Sequence, residues 1–179
     1  LIGKPENLKN IHFDFLEEIE DIFVAAKDYL RNLKARGIQK DHILQSSTLM
    51  LLDKNNMTRQ YIDDYLQENQ IIIKDSIDIS DMDLLIDFAR IGVGVACVIK
   101  NFVREDLENG TLMEIPLGFP IHKREVGFAY KTTTKPSKSL AEFIHFTRLT
   151  GRTLMRASFS LHNSSAHQSH PCGAFFLIS

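Results

Sequence analysis

Two short polar stretches carry the residues best suited to chemistry. Asp53 to Arg59 ("DKNNMTR") follows an apolar run and opens an amphipathic stretch; Ile79 to Asp81 follows a second run and opens another. Such a junction leaves backbone N–H groups unpaired at a helix start, where they suit a carboxylate or another small anion. Thr58 adds a hydroxyl, and Arg59 a guanidinium able to hold a carboxylate through two parallel hydrogen bonds. The bland alternative is strong: Asn, Ser and Thr cap helices in proteins of every function, and Arg59 could simply face solvent.

Other groupings point less far. His162, His167, His170 and Cys172 are usable zinc ligands, but their spacing fits no standard finger and their segment has loop composition. Asp63 and Asp64 are adjacent on a helix, do not face one another, and read as a solvated face. His12, His42, His122 and His145 are scattered with no nucleophile beside them, and "KTTTKPSKS" reads as a polar connection ahead of a helix. No catalytic constellation emerges, so no enzyme, metal or cofactor is expected.

The elements that must position the two stretches alternate along the chain. "FDFLEEIEDIFVAA" (13–26) reads as two strands with a charged corner, "LMLLD" (49–53) as a short buried strand. Tyr61, Ile62, Tyr65 and Leu66 then recur at helical spacing. "QIIIKDSIDI" (70–79) reads as a strand from its start. Met82, Leu85, Ile86 and Ala89 mark a helix, with Ser80 and Asp83 resembling a capping box and Gly92 placed to end it. "VGVACVI" is apolar on both faces, as in a parallel sheet. "NFVREDLENG" reads as a short helix closed by Gly110 and "TLMEIPL" as a strand. "KREVGFAYK" reads as another strand, and "SKSLAEFIHF" as a last helix behind Pro136. The order β-α-β-α-β-α-β over 49–115 predicts an α/β lobe with a parallel sheet and helices on both sides. Ligands of open α/β sheets sit outside the carboxyl ends of the strands, where both polar stretches fall.

Composition agrees with a soluble globular protein: 179 residues, 44% hydrophobic, 25% charged. A net charge of −2 argues against a nucleic-acid surface spread over the whole chain. The longest apolar run, Ile91 to Ile99, is too short to span a membrane. No export signal is visible, so a cytoplasmic protein is expected. Cys97 reads as a small buried hydrophobe. Charge is uneven: all 23 acidic and 18 of the 21 basic residues precede Thr147, and the tail holds only Arg148, Arg152 and Arg156. That break marks a boundary.

From about Asn10 to Phe146 the chain resembles the effector-binding domain of LysR-type transcriptional regulators. The resemblance rests on the order and spacing of several motifs. Asn56-Met57-Thr58-Arg59 matches the family's step from strand into helix. Gly92-Val93-Gly94 before "VACVI" matches its helix end and apolar strand, and Gly110 to Ile115 its Gly–x–Leu–x–x–Ile segment. The resemblance implies a type 2 periplasmic-binding-protein-like α/β fold, two lobes of parallel or mixed sheets with flanking helices, lobe one being incomplete. Residues 1–26 and 120–147 would be the remnant of lobe one, 27–119 lobe two, and 148–179 an unmatched, irregular tail. The family's N-terminal winged helix-turn-helix and linker helix have no counterpart here. It further implies an anionic small-molecule effector in an interlobe cleft, a dimer or tetramer of the full-length protein, DNA contact only through the missing N-terminal domain, and no membrane. Carried over by position, Asn56, Met57, Thr58, Ile79, Ser80 and Asp81 would line the effector site, with Arg59 a further candidate. Asp81 would select a cationic or hydroxylated effector or, more commonly, cap its helix. The runner-up is a free-standing type 2 solute-binding protein serving uptake.

Overall fold

The computed structural model describes residues 2–3, 9–131 and 137–150, with side chains for 9–131 and 137–146. The chain divides into two compact units, 1–133 and 134–179. The tail and its His162, His167, His170 and Cys172 lie outside the described residues, as does most of the polar connection around Pro136.

The first unit begins with β1 (Ile2–Gly3) and β2 (Ile11–Ile19), which join the late strand β8 (Arg124–Lys131) in an antiparallel sheet of order β1-β8-β2. A single residue, Glu20, separates β2 from β3 (Asp21–Ala26), as the charged corner in the sequence predicts. β3 belongs to a different sheet, of order β5-β4-β6-β3-β7, with β4 (Thr48–Leu52), β5 (Asp75–Ile79), β6 (Val95–Ile99) and β7 (Leu112–Glu114). Residues 21–26, expected with lobe one, therefore lie in the five-stranded sheet.

The helices connect these strands: α1 (Lys27–Ala35), α2 (Ile43–Ser46), α3 (Met57–Glu68), α4 (Met82–Arg90) and α5 (Arg104–Asn109). α1 and α2 were not foreseen, although Tyr29, Leu30 and Leu33 pack at helical spacing against the core. The parallel sheet expected for 49–115 is corrected to a mixed one. β4, β5 and β6 run parallel, but β3 enters antiparallel between β6 and β7, because the chain reaches this sheet from its carboxyl edge.

Strand alternation divides the core into two layers. Phe23, Ala25, Leu49, Leu51, Val95 and Cys97 face Ile62, Tyr65 and Leu66 of α3. Ile22, Val24, Met50, Leu52, Ala96 and Val98 face Leu85, Ile86 and Ala89 of α4. Of the side chains their spacing predicts, the helices bury Ile62, Tyr65, Leu66, Leu85, Ile86 and Ala89, while Tyr61 and Met82 are half-buried. Each fully buried Leu, Ile or Phe contributes on the order of 1.5–3 kcal/mol. β6 lies so close to β4 that a Cβ at Gly94 would fall 2.4 Å from the Thr48 carbonyl oxygen.

The strand read from Gln70 begins only at Asp75. The end of α3 takes the intervening residues: Gln70 donates its N–H to Gln67 O and Ile71 to Leu66 O, which places Gln70 in the left-handed region at φ 55°. Gly92, with φ 78°, closes α4 in the same way as expected. Asp81 caps α4 as expected of it, its Oδ1 accepting from Leu84 N–H at 2.8 Å, so the Ser80–Asp83 capping box does not form. Ser80 instead donates to Asp81 Oδ2. A 3-10 turn over Lys100–Val103 takes the first part of the helix expected at 101–110, and Gly110 caps the remainder.

In the second unit, α6 (Lys138–Thr150) is the element described, with Ser137 Oγ accepting from Leu140 N–H at its start.

Three outcomes follow from this packing. Gln70→Gly relieves a left-handed non-glycine residue and should raise stability by about 1 kcal/mol in urea unfolding; a loss would mean the Gln70 side chain contributes more than its backbone costs. Burial pushes the Cys97 thiol well above its ordinary range. In a Cys172→Ser variant, iodoacetamide should therefore label the folded chain negligibly and the urea-unfolded chain readily. Asp21, with no side-chain exposure, holds Arg124, which is 13% exposed. Asp21→Ala should cost about 3–5 kcal/mol by stranding that guanidinium, while Asp21→Leu with Arg124→Met should recover most of the loss; equal losses would contradict the pairing.

Candidate functional site

β4 and β5 are parallel neighbours with Leu52 opposite Ile79, so the loops that follow them emerge side by side at the carboxyl edge. The Asp53 N–H donates to Ile79 O at 3.1 Å and ties the loops together. The two stretches singled out in the sequence are therefore contiguous in space.

Asn56 is the N-cap of α3, its Oδ1 accepting from Thr58 N–H at 2.8 Å. Met57 is 53% exposed at the first helical position. Ser80 and Asp81 are exposed on the second loop, and Ile79 is buried beneath them. Arg59 departs from its neighbours. Its side chain turns inward, with Nε on Asp63 Oδ1 at 2.8 Å and Nη1 on Leu52 O at 2.8 Å and on Asp78 Oδ1. It neither faces solvent nor presents a free fork; it joins α3 to the ends of β4 and β5. Asp63 is thus the partner of a buried cation rather than part of a merely solvated face.

Sequence reasoning missed a cluster beside Thr58. Arg124, the first residue of β8, donates from Nε to Asp21 Oδ2 at 2.7 Å and from Nη2 to Asp21 Oδ1 at 2.9 Å. The same Nη2 lies 3.3 Å from Thr58 Oγ1, and the guanidinium carbon stands 4.9 Å from the centre of the Tyr61 ring. Burial pushes the Asp21 carboxyl upward, and the Arg124 guanidinium draws it back in part. Burial also raises the Tyr61 and Tyr65 phenols, which donate as neutral groups to His122 O and Phe119 O. The segment leading into β8 is thereby strapped to α3. One signal was available: Asp21 is a lone acid opening the otherwise apolar "DIFVAA". Its partner, 103 residues away, left no local trace.

Further along the edge, Lys100 Nζ bridges Glu20 and Glu114 at 3.1 Å each, and these carboxylates raise its pKa. A cleft of about 170 Å³ lies there, lined by Glu20, Asp21, Glu114 and apolar neighbours. A second cleft, of about 200 Å³, lies between Leu44, Tyr65, Ile71 and Phe119. Neither includes any of the seven residues expected to bind effector. Among the described residues, no group of three or more His, Cys, Asp or Glu side chains could hold a metal ion, and no helix is long and apolar enough to cross a membrane.

The fold has counterparts among solved structures. The regulatory domain of HypT from Salmonella typhimurium in its apo form superposes with a TM-score of 0.68 at 19% identity, over 84% of this chain and 70% of that one. The CcmR regulatory domain of Synechocystis PCC6803, in complex with 2-PG, gives 0.67 at 10% identity over 85% and 72%. The effector binding domain of QuiR, in complex with shikimate, gives 0.63 at 18% identity over 84% and 69%. At such identities the likeness is one of fold. No curated protein matches the chain. The family model of the LysR substrate binding domain matches residues 1–151, most of the chain. With its mixed sheets, flanking helices and type 2 periplasmic-binding-protein-like architecture, the chain belongs to the LysR substrate-binding-domain family.

Proposed function

We propose that this effector-binding regulatory domain senses a small anionic metabolite held against the two loops at the carboxyl edge of β4 and β5. The observation that carries the reading is the side-by-side placement of these loops, joined by the Asp53–Ile79 hydrogen bond. Asn56 caps the start of α3 with its side chain, Met57 contributes a backbone donor and Thr58 a hydroxyl, where the helix dipole favours negative charge. Ser80 and Asp81 form the second wall, with Ile79 buried beneath them as its support. Asp81 already supplies a carboxylate to the start of α4, so that wall suits a hydroxyl or ammonium group of the same ligand. Arg59 supports the first loop from beneath and makes no direct contact.

In this reading the lobes divide at Glu20 and Lys123. The three-stranded sheet belongs to lobe one, the five-stranded sheet to lobe two, and the effector lies in the cleft between them. CcmR in complex with 2-PG and QuiR in complex with shikimate support a small-molecule effector for this domain as well. The effector shifts the population of lobe orientations by its differential affinity for them. In the full-length regulator, a cytoplasmic dimer or tetramer converts that shift into altered DNA binding through segments outside this chain.

Thermal unfolding of the whole chain with a panel of small carboxylates and amino acids tests the reading. A true effector present at about 100 times its Kd should stabilise the fold by about 2.7 kcal/mol and raise Tm accordingly. Thr58→Val and Asn56→Ala should diminish that rise. Asn56→Ala should also cost about 1 kcal/mol without ligand, through loss of the N-cap. A rise of undiminished size in both variants would place the site elsewhere, and a cooperative transition that no compound moves would count against an anionic effector.

A further inference from the structure

We infer that Arg124 is the positioning residue through which the effector loop is coupled to the junction between the two sheets. The inference rests on the reading of Asn56 to Thr58 as part of the effector site and goes beyond it.

The chain passes between the sheets twice, at Glu20 on the way out and ahead of Arg124 on the way back. Arg124 belongs to the three-stranded sheet, where it is paired with Ile19. Its side chain, however, engages partners on the other body. Asp21 opens β3, and Thr58 and Tyr61 lie in the first two turns of α3. Both passages and the start of α3 thus meet at one guanidinium.

The three contacts differ in strength, which is what makes the arrangement responsive. The two bonds to Asp21, at 2.7 and 2.9 Å, are charge-assisted and shielded from water, and they anchor the group. The contact with Thr58 Oγ1 is long, at 3.3 Å, and shares the Nη2 nitrogen already bonded to Asp21. A change at Thr58 is therefore passed to Arg124 without breaking the anchor. A ligand that draws on the Thr58 hydroxyl alters how Arg124 sits, and with it the start of β8. Lysine carries its donors on one nitrogen and lacks the planar fork by which Nε and Nη2 hold the two Asp21 oxygens.

Pulsed electron spin resonance on the full chain tests this with no effector present, so an unsuccessful effector search leaves the result intact. Spin labels go at Phe15→Cys on β2 and Asp83→Cys on α4, both exposed, in a Cys172→Ser background where Cys97 is buried. The parent should give one narrow distance distribution. Thr58→Val should shift or broaden it by about 1–2 Å, the scale of interface shifts in switching proteins, and Thr58→Ser should restore it. The double variant Asp21→Leu, Arg124→Met removes the charge pair without stranding a partner. It should unfold cooperatively near the parent's Tm yet give the broadest distribution, with Arg124→Lys in between. A purely structural role for Arg124 leaves the distance unchanged whenever the fold is retained. The proposal is overturned if Thr58→Val and the double variant both superimpose on the parent, or if Thr58→Ser behaves as Thr58→Val.

Discussion

The chain leaves one sheet at Glu20 and returns to it at Arg124, and a single buried ion pair, Asp21–Arg124, holds the two passages together. All else in the first unit is arranged around that crossing. Because Asp21 enters at the carboxyl edge of the five-stranded sheet, β3 has to run against β6 and β7. A charge with no solvent exposure is tolerable only when a partner takes both its oxygens, as the forked guanidinium does. Arg124 must therefore be delivered to this point, which constrains the path from β7 to β8. Two tyrosines of α3 strap that path down, Tyr65 at Phe119 and Tyr61 at His122.

The five-stranded sheet gives the crossing something rigid to work against. Its inner strands β3, β4 and β6 are buried on both faces, with α3 covering one layer and α4 the other. α4 is fastened in turn to α5, where Arg90 grips the largely buried Asp106 through Nε at 3.0 Å and Nη2 at 2.8 Å. Gly94 permits the close approach of β6 to β4, and with it the alignment of three parallel strand ends on one edge. The loops of the proposed effector site stand on these ends, each opening a helix whose far end is packed. The edge is thus built as a fixed floor, while the three-stranded sheet beyond the crossing is joined to it by short passages and the Arg124 cluster.

Charge is divided unequally between the loops. Asn56 caps α3 with a neutral amide, and the Arg124 guanidinium reaches the neighbouring Thr58 hydroxyl. α4 is capped by a carboxylate, Asp81. One wall therefore presents the start of α3 beside the Asp21-paired Arg124 guanidinium, and the other presents a carboxylate acceptor. In the proposed reading, this asymmetry favours ligands that carry an anionic group together with a hydroxyl or ammonium group.

Much of this was written in local patterns. The apolar faces of α3 and α4, the continuous runs of β4 and β6, the glycines that end α4 and α5, and the charged corner at Glu20 all arise from interactions within a few residues, and such interactions leave periodicity or a cap behind them. The placement of both polar stretches at strand ends followed from the same patterns. Tertiary packing decided the rest. Whether Asp81 or Ser80 caps α4 turns on the path of the backbone into the helix. Gln70 belongs to the end of α3 rather than to a strand because Ile71 bonds back to Leu66. Arg59 faces inward because Asp63, Asp78 and the Leu52 carbonyl surround it together. The antiparallel course of β3 and the meeting of Asp21 with Arg124 depend on partners up to 103 residues apart. Contacts over such separations impose no repeat on the chain, so only the folded structure brings them to light.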